Sequence, residues 1–256
     1  MIDWSALTLF LYMTMRMAGF VLFSPIFARS GVPTTFRTGL IMLFSLTAYA
    51  AYDGNVTVPT HLLELAFRLL AEMGIGLALN FVLRFFLFIP EQAGDVVDTQ
   101  MGMSMGRSYD PSSQSSMTVS ASILSMMMLM LFFVANGHVT LIRLMLTSGE
   151  ILPFGSVTLG QHVADRVVAL FAECMLLAVK MSLPILGAEL LGQVGMGILM
   201  KAIPQINVFA INIELKVIVG MVMLSLLLSP ISSFMLEAES YMLRQMQLLM
   251  EIAAGG

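Results

Sequence analysis

A chain of 256 residues that is 58% apolar and only 11% charged departs far from an ordinary soluble domain, where charged residues make up roughly 25%. Its 12 basic and 16 acidic residues, net −4, cannot wet a 28.0 kDa globule and form no basic patch, which excludes a cytosolic enzyme, a nucleic-acid binder and a disordered tail. An integral membrane protein remains, and the single cysteine, Cys174, excludes an internal disulfide or a multi-cysteine metal site.

The N-terminus reads as mature structure. Asp3 stands where a cleavable signal needs basic residues, and Arg16 interrupts the apolar stretch. About six apolar segments follow in order. The first runs from Trp4 to Phe23 and ends at Ser24-Pro25; Gly31-Val32-Pro33 then turns the chain. The second, Phe36 to Tyr52, is short and closes on Asp53-Gly54-Asn55. The third is Leu62 to Ile89, and the fourth Val119 to Leu146. Pro153-Phe154-Gly155 breaks the next connection. The fifth is Val167 to Leu186, with a continuation past Pro184 to Leu199 left open. Ile203-Pro204-Gln205-Ile206-Asn207 interrupts the chain before the sixth, Val208 to Leu236.

A span needs roughly 20 apolar residues. Segments four and six meet this easily, segments one, three and five only by carrying a charge, and segment two is marginal. The expected fold is all-α, built of long helical segments in hairpins, some of them broken. Orientation is weakly encoded: Arg29, Arg37, Arg107 and Lys201 on one side balance Arg143, Arg166 and Arg244 on the other.

Charges within apolar segments must face protein or water. Glu64, Arg68 and Glu72 fall at i, i+4 and i+8, one stripe of a helix, and can neutralise each other. Arg84 lies further along, away from any local acid. Glu173 and Lys180 share a face, Glu189 follows Pro184, and Glu214 and Lys216 open the sixth segment. Arg84 and Lys180 have the fewest local options, which points to acids of other subunits; a proton or ion relay is a weaker alternative. Glycines at 74 and 76, and at 187, 192, 195 and 197, permit close helix contact, the latter group also a bend.

Residues 90 to 117 read as the one long polar loop. Within it Met101-Gly102-Met103-Ser104-Met105-Gly106 alternates flexible apolar side chains with small ones, a pattern able to fill an irregular pore and move aside. The same residues match the G-x-S-x-G elbow, with Asp110 and His138 in order, but no strand–turn–helix context is evident. Glu91, Asp95 and Asp98 read as solvated loop acids rather than cation ligands. His61, His138 and His162 are far apart, so metal catalysis is unsupported. No catalytic, cofactor-binding or metal-binding residues are expected, and no cofactor. Asn55-Val56-Thr57 is a glycosylation sequon by pattern only.

Three groups of residues carry a family resemblance. Ile203-Pro204-Gln205-Ile206-Asn207-Val208-Phe209, followed by Glu214-Leu215-Lys216 and Gly220, is the most recognisable. Arg16, Gly19, Pro25, Pro33 and Arg37 form an R-x-x-G…P…VP…R pattern, and Gly94, Asp98, Gln100, Gly102 and Asp110-Pro111 a G…D-x-Q-x-G…DP pattern. In this order, over about residues 10 to 235, the chain resembles the FliR/SctT family of type III export gate subunits, flagellar and virulence-associated.

The resemblance implies a single copy within a closed, hetero-oligomeric helical assembly with FliP and FliQ, next to FlhB, in the bacterial inner membrane and flagellar basal body. It implies passage of unfolded export substrates, not catalysis, with contacts to lipid and none to nucleic acid. It implies a four-segment half, about 1–165, that includes a plug loop at about 90–117, and a hairpin half, 166–256, with a short tail. The plug would use Met101, Gly102, Met103, Met105, Gly106, Tyr109 and Asp110. Pro204, Gln205 and Asn207 read as a structural joint, because Pro204 breaks the helix and the two amides can satisfy freed backbone groups. Glu214 stands where many relatives have Pro or a neutral residue, and it places an acid beside Lys216. A small-molecule transporter is the competing class, disfavoured because the two halves differ in segment number.

Overall fold

The computed structural model describes residues 4–27, 32–52, 54, 56, 58–103, 108–110, 115–157, 160–202 and 208–255. Within them the chain is helical apart from one pair of three-residue strands, as the all-α expectation requires. Helix α1 (Trp4–Phe23) ends two residues before Pro25, and α2 (Thr34–Ala51) starts directly after Pro33, whose ring presets the entry angle. The two helices pack on each other, with Phe10 and Tyr49 meeting edge to face at 6.2 Å.

Helix α3 (Leu62–Met101) corrects the expected loop boundary. It passes through Pro90 without ending, so the loop starts at Gly102, not near residue 90. A proline inside a helix removes one hydrogen bond and crowds the preceding turn. Burial compensates: Ile89, Ala93, Val97 and Met101 are spaced by four and all at most 2% exposed, a continuous apolar face beyond the proline. Gly102, at φ +79°, then ends the helix in a conformation that favours glycine. Strands β1 (Ser108–Asp110) and β2 (Ser115–Met117) pair antiparallel, Ser108 opposite Met117.

The fourth apolar segment is two helices, α4 (Val119–Val134) and α5 (Gly137–Leu146), bent by 65° at Asn136, which has φ 59°. The short α6 (Ser148–Ile151) leads to the expected break at Pro153-Phe154-Gly155, where Gly155 has φ +82°. Helix α7 (Gln161–Ala202) runs through Pro184 and through the glycine-rich stretch, so its longer alternative holds. The sixth segment is also bent, by 60°, between α8 (Val208–Leu226) and α9 (Leu228–Gly255). The expected short tail is helical to Gly255.

Among the described residues, three helices are long and apolar enough to cross a membrane: α1, α3 and the 161–199 stretch of α7. Each bent pair, if it forms one span, raises that to five. The ranking by apolar run is thereby inverted. The segments expected to span only by carrying a charge make the unbroken helices, and the two expected to span easily make the bent ones.

The chain divides into two compact units, each built from separated stretches of the sequence. One comprises Met1–Phe86, Asn136–Phe171 and Glu239–Gly256, with Tyr12, Met13, Met17, Phe20, Leu79 and Met246 in its core. The other comprises Leu87–Ala135 and Ala172–Ala238, with Val97, Met101, Leu124, Cys174 and Ile185 buried. Residues 165 and 166 lie in the first turns of α7.

Candidate functional site

Two clusters of buried polar groups lie in this apolar fold, one in each unit. The first is centred on Arg16, which is fully buried. Its Nε donates to Glu72 Oε2 at 2.7 Å, and its Nη1 donates to Ser148 Oγ at 3.2 Å and to the Leu152 carbonyl at 3.0 Å. The guanidinium lies over the Phe154 ring, 4.1 Å from its centroid. Glu72 Oε1 accepts from the Gly155 N–H at 2.7 Å. One ion pair thus joins α1, α3 and the 148–155 break, and a guanidinium fork suits such a divided task.

The helices can come this close because α1 and α3 cross at glycines. A Cβ on Gly19 would sit 2.3 Å from the Met73 carbonyl oxygen, and one on Gly76 would sit 2.2 Å from that of Arg16. Close approach at Gly76 agrees with the sequence reading. The predicted stripe is redistributed. Arg68 pairs with Glu64 at 2.6 Å and reaches the Gly155 carbonyl at 3.3 Å, whereas Glu72 is taken by Arg16. Glu72 faces inward at 0% exposure, while Arg68 and Glu64 remain a third exposed.

The second cluster lies where α3 ends and α4 begins. Asp98 is fully buried, which corrects its reading as a solvated acid. Its Oδ2 accepts from the Ser120 N–H at 2.8 Å, and its Oδ1 accepts from the Ser120 hydroxyl. A helix start leaves its first N–H groups unpaired and carries partial positive charge. Thr118, at the N-cap position of α4, makes no capping bond with its own side chain; its hydroxyl donates instead to Asp95 Oδ1 at 2.9 Å. Asp98 therefore caps α4 from the neighbouring helix. Beside it, a Cβ on Gly94 would sit 2.3 Å from the Ala121 backbone, so α3 and α4 touch main chain to main chain.

Met101, the last residue of α3 and fully buried, rests against Gly220 of α8. A Cβ there would lie 2.5 to 2.7 Å from the Met101 side chain. Glu189, 1% exposed on α7, lies within the field of Lys216 and of the Gly220 N–H, so Lys216 has an opposing acid within its own chain besides Glu214.

The remaining predicted residues are scattered. Gly102 is exposed and Met103 half-buried. Tyr109 and Asp110 belong to β1. Met105, Gly106, Pro204, Gln205 and Asn207 lie outside the described residues. Arg84 and Lys180 are exposed, and among the described residues neither makes an ion pair; Glu173 is half-buried. Cys174 is 2% exposed, a core residue. Gly187, Gly192, Gly195 and Gly197 have nothing within 4 Å of a built Cβ, so the close contact expected there is not made with described residues of this chain. Sequence reading missed Asp98, Thr118, Ser120, Ser148 and Met101–Gly220 as partners. The only available signal was local: a Thr before an apolar run at 119.

Neither cluster is open to a substrate. Each oxygen of Glu72 and Asp98 accepts a hydrogen bond that ties chain segments together, which defines a membrane protein braced within each unit by a buried polar clamp. The chain belongs to the bacterial export proteins, family 1, which it matches over residues 7–241. It is 27% identical over 230 residues to flagellar biosynthetic protein FliR of Escherichia coli (strain K12), covering 90% of this chain and 88% of that one. Against FliR of Bacillus subtilis (strain 168) it is 25% identical over 231 residues, 87% and 86% of the two chains. Yop proteins translocation protein T of Yersinia pestis is 23% identical over 182 residues, 70% of each.

Proposed function

We propose that the chain is a subunit of the flagellar type III protein export gate, a membrane component of the export apparatus that works together with other subunits. The observation that carries this reading is the family match through residues 7–241, which spans both sets of clamps. The two flagellar relatives above match over 90 and 87% of the chain and the virulence relative over 70%, which favours the flagellar over the virulence system.

In this reading the chain, with FliP and FliQ and next to FlhB, forms the closed pore through which unfolded flagellar proteins pass, in the inner membrane at the basal body. It binds no cofactor and catalyses no reaction; its work is to seal and to yield. The loop from Gly102 to Met117 is the plug. Residues 90–101, the front of the polar stretch, belong to α3, which supports a plug that begins at Gly102. Exposed Arg84 and Lys180 meet acids of neighbouring subunits, since a cation in apolar surroundings needs an opposing charge. Pro204, Gln205 and Asn207 form the joint before the last hairpin. Apolar side chains exposed on α2 and α3, such as Leu43, Leu62 and Phe67, face lipid or partner helices. The halves 1–165 and 166–256 correspond to the two smaller subunits.

Deleting residues 106–116 should leave the assembled gate intact and make it leak small ions or dyes when expressed in cells. A tight deletion complex would return the loop to the status of a passive linker.

A further inference from the structure

We infer that Asp98 and Gly220 are positioning residues that hold the loop closed from its two roots, an inference that rests on the plug reading above. The C-terminal root is pinned by Asp98. Both of its carboxylate oxygens are engaged by Ser120, one through the backbone N–H at 2.8 Å and one through the hydroxyl. The site is fully buried, so no water can replace that acceptor if the carboxylate is lost. Thr118 does not fill that role in this fold: its hydroxyl donates to Asp95 at 2.9 Å and makes no bond to the start of α4. Gly94 sets α3 against α4 at Ala121, which fixes the spacing at which Asp98 reaches the helix start.

The N-terminal root is pinned by Met101. It is the last helical residue before Gly102 turns the chain at φ +79°. Its fully buried side chain rests where Gly220 leaves room, and any side chain at 220 would occupy that room. The two pins differ in kind. Asp98 binds α3 to α4 on either side of the loop, while Gly220 belongs to α8, far along the chain. A shift of α8 therefore acts on the loop through Met101, which couples the C-terminal hairpin to the seal.

The test uses the assembled gate, comparing leak of a small dye with co-purification of the neighbouring subunits. Asp98→Ala should raise leak about tenfold or more without loss of assembly, the scale expected when a buried charge-assisted bond is removed from one of two states. Asp98→Asn should stay close to wild type, because its amide oxygen still accepts from the Ser120 N–H and its amide group donates to the Ser120 hydroxyl. Gly220→Ala should also leak, and adding Met101→Ala should reduce that leak by making room. If Asp98→Ala does not assemble, the Gly220→Ala and Met101→Ala pair decides alone. Equal leak from the Ala and Asn variants at 98, or additive rather than compensating effects at 101 and 220, would overturn the inference. Tight Asp98→Ala and Gly220→Ala gates beside a leaking 106–116 deletion would overturn it while leaving the plug reading intact. A tight deletion gate would remove both.

Discussion

Glu72 and Asp98 are both fully buried carboxylates in apolar helices, yet they are neutralised by different means. Glu72 faces a full charge, the Arg16 guanidinium, and binds three chain segments into one knot. Asp98 faces the start of a helix, where unpaired N–H groups carry only fractional charge. The first arrangement is hard to undo, because removing either partner strands a charge in a dry site. The second is weaker and more local, and it borders the loop between α3 and α4. The two units thus neutralise their buried carboxylates by separate means, one by a full charge and one by a helix start.

The largest expected effect tests the strong clamp. Arg16→Ala leaves Glu72 buried without its cation, which costs roughly 3–5 kcal/mol. The chain should then fail to accumulate in the membrane, as judged by immunoblot of membrane fractions. Replacing both Arg16 and Glu72 by Met should recover most of the loss, since an apolar pair of similar volume is often neutral. Equal yields of the single and double variants would break the contrast between the two clamps.

Next come the glycine crossings. Gly76→Ala would push a Cβ into the Arg16 backbone oxygen, 2.2 Å away, and overpacking of this kind costs about 1–3 kcal/mol. Thermal unfolding of the purified gate should shift down for Gly76→Ala and stay put for Gly192→Ala, whose Cβ would meet nothing of this chain. A drop at Gly192 as well would reveal a neighbouring subunit packed there, which would sharpen the picture by locating an interface.

Asp98→Ala should destabilise by about 1–3 kcal/mol through the unmet Ser120 donors, less than Arg16→Ala in the same unfolding measurement. The reverse order would mean that the helix cap, not the ion pair, is the stronger clamp. Smallest is Glu64→Ala. The Glu64–Arg68 pair is an i,i+4 contact with both side chains about a third exposed, so its loss should change stability by about 0.5 kcal/mol or less. A large drop in that variant would show that the pair is covered in the assembled gate.

The helices themselves were legible because their signals are local. Apolar runs mark spans, and Pro33 and Gly155 mark entry and exit points. The misjudged boundary at Pro90 shows the limit. Glu91, Asp95 and Asp98 gave residues 90 to 101 a polar composition, and the buried series Ile89, Ala93, Val97 and Met101 was hidden among them. Composition averaged over a window concealed a face that the period of four would have exposed.

The sequence by itself determined the solvent, the class and the family register: a chain this poor in charge must fold in apolar surroundings, and its motifs fall in one order along 7–241. Only the tertiary structure decided which charges meet. Arg16 finds Glu72 across 56 residues rather than a nearer acid, Asp98 finds Ser120 across 22, and Met101 finds Gly220. Such partners are chosen by which helices touch and at what depth, because a buried charge takes the donor or acceptor that the closed fold places within about 3 Å of it. Spacing along one helix can offer Glu64, Arg68 and Glu72 to one another. The glycines that let α1 cross α3 determine that Glu72 turns to Arg16 instead.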